Sequence, residues 1–91
     1  MTRSDLRAAM LEELANLAPE TEGMPLADDI DLREALDLDS MDILNLLIAL
    51  SKRLGIDIPD ADAKNLVTLA GGAAYLEGRL AGQAGAEKDS G

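Results

Sequence analysis

Ser40 stands in the run DLDSMD, with Asp39 before it and Asp42 two residues after it. A hydroxyl attacks a substrate only when a neighbour takes its proton. The chain contains no histidine and no cysteine. The commonest general base and the commonest zinc ligand are therefore absent, as are disulfides and thiolate metal sites. No G-x-S-x-G elbow surrounds the serine. Lys52 lies about three turns further along the same predicted helix, too far to serve as its base. Serine hydrolysis is not supported.

Two other uses of that hydroxyl fit the pattern. Serine is a favoured N-cap, and Ser40 sits where a cap is wanted, with Asp39 and Asp42 offsetting the positive end of the helix. A phosphoryl group borne on Ser40 would also meet the free N–H groups and the dipole of that helix end. The flanking acids would not help to hold a phosphate, because like charges repel. They suit the recruitment of a basic enzyme or of Mg²⁺. The acidic run ADDIDLREALDLDSMD does not match a calcium loop: counted from Asp29, Glu34 falls where glycine is required and Ser40 where glutamate is required.

The elements that must position Ser40 follow from apolar spacing. Leu6, Met10, Leu14 and Leu17, with Ala9, share one face of a helix predicted over 3–17. Thr2 and Asp5 form a candidate capping box there, and Pro19 ends the pattern. Residues 18–39 make a long connection, with Ile30, Leu32, Leu36 and Leu38 as its expected pins into the core and a short turn near 32–36. Ile43, Leu46, Leu47, Leu50 and Leu54 form the stripe of a helix over 40–54, which Gly55 stops. Met41, Leu44 and Ile48 lie off that stripe, as a second buried edge or as exposed apolar contacts. Asp60 is the candidate cap of a short turn over 61–65. Thr68 opens a last helix over 69–80, with Leu69, Ala73, Leu76 and Leu80 inward. Gly71 and Gly72 weaken this helix by about 1 kcal/mol each relative to alanine. No strand alternation is visible, so the fold class is all-α: a bundle of three main helices, one short one and a long first loop. The domain is expected over 1–81, followed by a flexible tail over 82–91.

The chain's 91 residues favour one domain, and 47% hydrophobic content is enough to fold it. With Tyr75 the only aromatic residue, the core has to be aliphatic and pliable. The net charge of −10 argues against nucleic acid and for a basic protein partner. Seven acids (Asp28, Asp29, Asp31, Glu34, Asp37, Asp39, Asp42) stand against one base, Arg33, between positions 28 and 42. No apolar run reaches the length of a membrane span, and the first residues are too polar for a signal peptide. A cytoplasmic protein is expected.

Taken together, these residues resemble an acyl carrier protein. In that family a D-S-L motif opens the second helix; here it stands as Asp39-Ser40-Met41. The upstream frame is present as Asp31, Leu32, Leu36, Leu38 and Asp39. The downstream I-P-D is present as Ile58-Pro59-Asp60, with Thr68 opening the last helix. The resemblance covers residues 3–80 and implies a four-helix bundle of the acyl-carrier type. It also implies a carrier rather than an enzyme. Ser40 would receive 4′-phosphopantetheine from coenzyme A, and the arm's thiol would hold acyl groups as thioesters. The implied partners are a phosphopantetheinyl transferase and acyl-ACP synthetase, ketosynthase or acyltransferase enzymes, met by a monomer through Asp39, Met41, Asp42, Asn45 and Ile48. The sequence departs from fatty-acid carriers in the face of the second helix, where only Asp42 is acidic among Met41, Asp42, Asn45, Ile48, Ser51, Lys52 and Arg53. That sets beside a role in fatty-acid synthesis a specialised bacterial carrier, with envelope-lipid modification, secondary-metabolite synthesis and amino-acyl carriage all open. The contrasting reading is an unmodified helical adaptor that binds a basic partner through its acidic loop.

Overall fold

A computed structural model describes the backbone of residues 2–90 and the side chains of residues 2–82. The described chain is helical, without strands. Its main elements are α1 (Arg3–Leu17), α2 (Leu32–Ala35), α3 (Ser40–Leu54) and α4 (Leu69–Ser90), with 3₁₀ turns at Pro19–Thr21 and Asp60–Leu66. The all-α bundle read from the sequence is the observed architecture.

Helix α1 starts where Thr2 and Asp5 close a capping box, each side chain accepting the other's backbone N–H at 3.1 Å. Its face of Leu6, Ala9, Met10 and Leu14 is buried and packs against both α3 and α4. Leu46, Leu47 and Leu50 from α3 and Leu69, Ala73 and Leu76 from α4 complete a core with Leu32, Ile56, Ile58 and Leu66. Burying each such side chain contributes about 1.5–3 kcal/mol, so this aliphatic interior dominates the folding energy. The 3₁₀ helix Asp60–Leu66 touches both α3 and α4. It forms the wedge between them.

Backbone bonds hold the long loop. Leu32 N–H reaches the Val67 carbonyl at 2.7 Å, and Ala70 N–H reaches the Asp28 carbonyl at 2.9 Å. The second of these satisfies an otherwise orphaned donor in the first turn of α4, where Thr68 Oγ1 also accepts from Gly71 N–H at 3.0 Å. Arg7 of α1 adds a contact to Asp28 at 2.5 Å and one to the Leu26 carbonyl at 3.3 Å. Of the four expected pins, Leu32 is buried and Leu36 and Leu38 pack against the core. Ile30 is exposed: the turn after Ala27 closes through Ile30 N–H to the Ala27 carbonyl at 3.3 Å, and its side chain is not held in the core. Leu26 takes a place against the core instead.

Two further expectations need correction. Asp60 makes no capping bond; it is the first residue of the 3₁₀ helix, and Pro59 precedes it as the cap residue. The helical backbone of α4 runs ten residues beyond 80, to Ser90. No proline follows Leu80, and Ala, Gln, Glu and Lys favour continuation against the cost of Gly82 and Gly85. The tail expected over 82–91 falls, apart from Gly82, outside the residues whose side chains are described. At the other helix end the expectation holds: Gly55 adopts φ 66° and caps α3, its N–H bonding the Ser51 carbonyl.

The glycine pair in α4 is a packing device at Gly72. A Cβ there would meet Met10 of α1, with its Sδ 2.7 Å away, and Met10 is fully buried, so its end group has no solvent to retreat into. Gly78, on the same helix, faces open space. Gly72→Ala is therefore expected to destabilise the fold by about 1–2 kcal/mol, overpacking outweighing the helix gain. Gly78→Ala should stabilise it by about 0.4–1 kcal/mol. Urea denaturation of the two variants tests the pair; equal shifts would show that α1 and α4 do not meet at Gly72.

Candidate functional site

The position of Ser40 is set by the turn before it. Asp31 caps α2, its carboxylate accepting from Arg33 N–H at 2.9 Å. After that one turn of helix, Asp37 takes a left-handed conformation (φ 54°), which aspartate tolerates better than most residues. Leu38 N–H then reaches back to the Arg33 carbonyl at 2.9 Å, the bond that closes a Schellman turn. Leu36 and Leu38 pack against the core on either side of the reversal. The chain therefore arrives at residue 39 with its direction fixed.

The cap of α3 is Asp39 rather than Ser40. Asp42 N–H donates to Asp39 Oδ1 at 2.9 Å, and Asp39 N–H donates to Asp42 Oδ2 at 3.2 Å. The two acids whose purpose was open in the sequence satisfy each other's backbone donors. Ser40 becomes the first residue of the helix. It is exposed, and its hydroxyl makes no hydrogen bond among the described residues. A group that needs no proton acceptor inside the protein and is not consumed by capping is free to carry a substituent.

Beside Ser40 lies an open cleft of about 210 Å³ lined by Arg33, Ser40, Ile43, Ala63, Lys64 and Val67. Its floor is aliphatic and its charged residues are both cations. Arg33 is held by Asp31, with Nε at 3.2 Å and one Nη at 3.0 Å from the carboxylate oxygens. This pairing keeps the Asp31 carboxyl below the usual carboxylate range and Arg33 above its own. The wall carrying Ala63 and Lys64 is tied to α4 by the Tyr75 hydroxyl, which donates to Asp62 at 2.5 Å. Burial, then that bond, pushes Tyr75 up to about 12. Sequence reasoning did not place Arg33 or Lys64 at the site. The one available signal was a lone base, Arg33, within a stretch of seven acids.

The other predicted site residues lie on α3. Met41, Asn45 and Ile48 are exposed on one face at helical spacing, with Met41 59% and Ile48 43% accessible. They form exposed apolar contacts around an amide. Leu44 is half-buried, and so is Asp42, turned to its capping duty. Of the seven acids from Asp28 to Asp42, Asp28 pairs with Arg7, Asp31 with Arg33, and Asp39 and Asp42 cap α3. Among the described residues no group of three acidic side chains is placed to hold a metal ion.

The family described as a phosphopantetheine attachment site matches residues 8–76. The chain belongs to the acyl carrier protein family. It is 32% identical to the acyl carrier protein of Campylobacter hominis, over 80% of this chain and 86% of that one. It is 30% identical to that of Acidothermus cellulolyticus, over 74% and 83%, and 30% identical to that of Helicobacter pylori, over 80% and 87%. No solved structure gives a significant match. Acyl carrier proteins carry 4′-phosphopantetheine and are carriers rather than catalysts. The exposed, unbonded hydroxyl on α3 fits such a group, since nothing in the chain has to move to reach it. No helix among the described residues is long and apolar enough to cross a membrane.

Asp39→Ala is expected to cost about 1 kcal/mol, whereas Ser40→Ala should stay within about 0.5 kcal/mol of the wild type. Thermal melts of both variants decide it; the reverse order would return the cap to Ser40.

Proposed function

We propose that Ser40 is the attachment point of the 4′-phosphopantetheine arm, and that the domain over residues 1–81 carries acyl groups to enzymes of lipid or secondary-metabolite biosynthesis. The observation that supports this most is the hydroxyl of Ser40, exposed and unbonded at the first residue of α3 while Asp39 does the capping. When attached, the arm supplies a thiol, absent from a chain without cysteine, on which acyl groups are held as thioesters.

The chain's own part is presentation. It has no histidine, and no side chain among the described residues bonds the Ser40 hydroxyl, so the base that takes the serine proton belongs to the phosphopantetheinyl transferase. Asp39, Met41, Asp42, Asn45 and Ile48 form the surface beside Ser40 that the transferase and the acyl-ACP synthetase, ketosynthase or acyltransferase partners meet. Met41 and Ile48 give that surface apolar contacts in place of a row of acids, which favours dedicated partners over those of general fatty-acid synthesis. The carrier acts as a cytoplasmic monomer.

Incubation of the protein with coenzyme A, Mg²⁺ and a phosphopantetheinyl transferase, followed by intact-mass measurement, should show one phosphopantetheine on the wild type and none on Ser40→Ala. The alanine variant should melt as the wild type does, which separates loss of the anchor from loss of the fold. An unmodified wild type, or a modified Ser40→Ala, would reject the proposal.

A further inference from the structure

The charge pattern beside Ser40 runs against that of the chain. Carboxylates outnumber bases 18 to 8 in the sequence, yet the cleft that Ser40 lines holds two cations and no acid among its six residues. Arg33 is oriented there: Asp31 engages its Nε and one Nη, which leaves the other Nη uncommitted. Lys64 forms no salt bridge among the described residues, although Asp60 and Asp62 stand close to it in sequence. The Tyr75–Asp62 bond gives one of those acids to α4 instead. An acidic chain that leaves a lysine unpaired beside a fixed arginine has a local anion to meet.

Resting on the reading of Ser40 as the anchor, we propose that Arg33 and Lys64 clasp the phosphodiester through which the arm is attached. An ester on Ser40 Oγ puts the phosphorus on a residue that lines this cleft, the same cleft that Arg33 and Lys64 line. Phosphate recognition by a guanidinium and an ammonium is strong, charge-assisted hydrogen bonding. The pair has a second effect. The phosphodiester adds a negative charge close to Asp39 and Asp42, and the two cations offset the resulting repulsion. With the phosphate held, the first bonds of the arm are directed over the aliphatic floor of Ile43, Ala63 and Val67 rather than swinging freely from the helix end. Arg33 and Lys64 are positioning residues, and they take no part in any reaction.

The test compares the apo protein with the phosphopantetheinylated protein, modification being verified by intact mass. The chain has three lysines, Lys52, Lys64 and Lys88, so their side-chain ammonium resonances are few enough to assign. On modification the Lys64 ammonium resonance should shift and that of Lys52 should not. The ³¹P resonance of the attached phosphodiester should move as salt is raised, because exposed ion pairs are screened. In Lys64→Gln or Arg33→Gln it should already lie near the high-salt position at low salt, and in Lys52→Gln it should follow the wild type. Unchanged Lys64 ammonium signals together with one common ³¹P position in all variants would overturn the clasp while leaving Ser40 as the anchor. A wild type that accepts no arm would overturn both.

Discussion

Two hydrogen bonds between neighbouring carboxylates and backbone amides decide what this surface can do. An α-helix begins with N–H groups that need acceptors, and some side chain has to supply them. Were Ser40 that side chain, its hydroxyl would be engaged and turned toward the helix. Because Asp39 and Asp42 cap reciprocally, the serine is displaced by one position. It becomes a helical residue with an exposed oxygen. The acids look like a charged patch in the sequence, but their first task is geometric.

That cap works only if the chain reaches it from one direction. The left-handed Asp37, the Leu38-to-Arg33 bond and the packed Leu36 and Leu38 fix the approach. Beyond the cap, Leu46, Leu47 and Leu50 lock α3 into the core against α1. The 3₁₀ helix that packs on α3 and α4 brings Lys64, and α2 brings Arg33, to the cleft that Ser40 also lines. Electrostatics follows the same division. The acids that carry the net charge of the chain are partly spent on caps and ion pairs, and solvent screens exposed pairs such as Arg3–Glu77 and those of Arg53 with Glu12 and Glu13. The charged side chains that line the cleft beside Ser40 are Arg33 and Lys64.

Much of the fold was legible because its signals are local. The 3–4 spacing of Leu6, Met10 and Leu14, the Thr2–Asp5 box, Gly55 as a left-handed stop and Thr68 as a cap all appear where the sequence puts them. The start of α3 at Ser40 was legible, but its cap was not: serine and aspartate are about equally good caps, so propensity alone could not choose between Asp39 and Ser40. The preceding Schellman turn chose. Ile30 is exposed and Leu26 packs against the core because burial in a loop depends on where its backbone is pinned, here by Val67 and Ala70, and no periodicity records that. Arg33 and Lys64 were invisible as site residues for the same reason. They are 31 positions apart in the sequence and meet only through the tertiary arrangement of α2, α3 and the 3₁₀ helix. Ser40, the proposed anchor, stood out through its neighbours, Asp39, Met41 and the Ile58-Pro59-Asp60 run.

The most direct test of the capping arrangement is an NMR titration of backbone amides in acid. A carboxylate that accepts from an amide loses strength as an acceptor when it is protonated, and the amide proton resonance moves with it. The Asp42 and Asp39 amide protons should follow the titration of each other's side chains, should lose that dependence in Asp39→Asn and Asp42→Asn respectively, and should keep it in Ser40→Ala. A wild type whose Asp42 amide ignores acid, or a Ser40→Ala variant whose largest amide change falls on Ile43, would show that the serine is the cap and that its hydroxyl is not free.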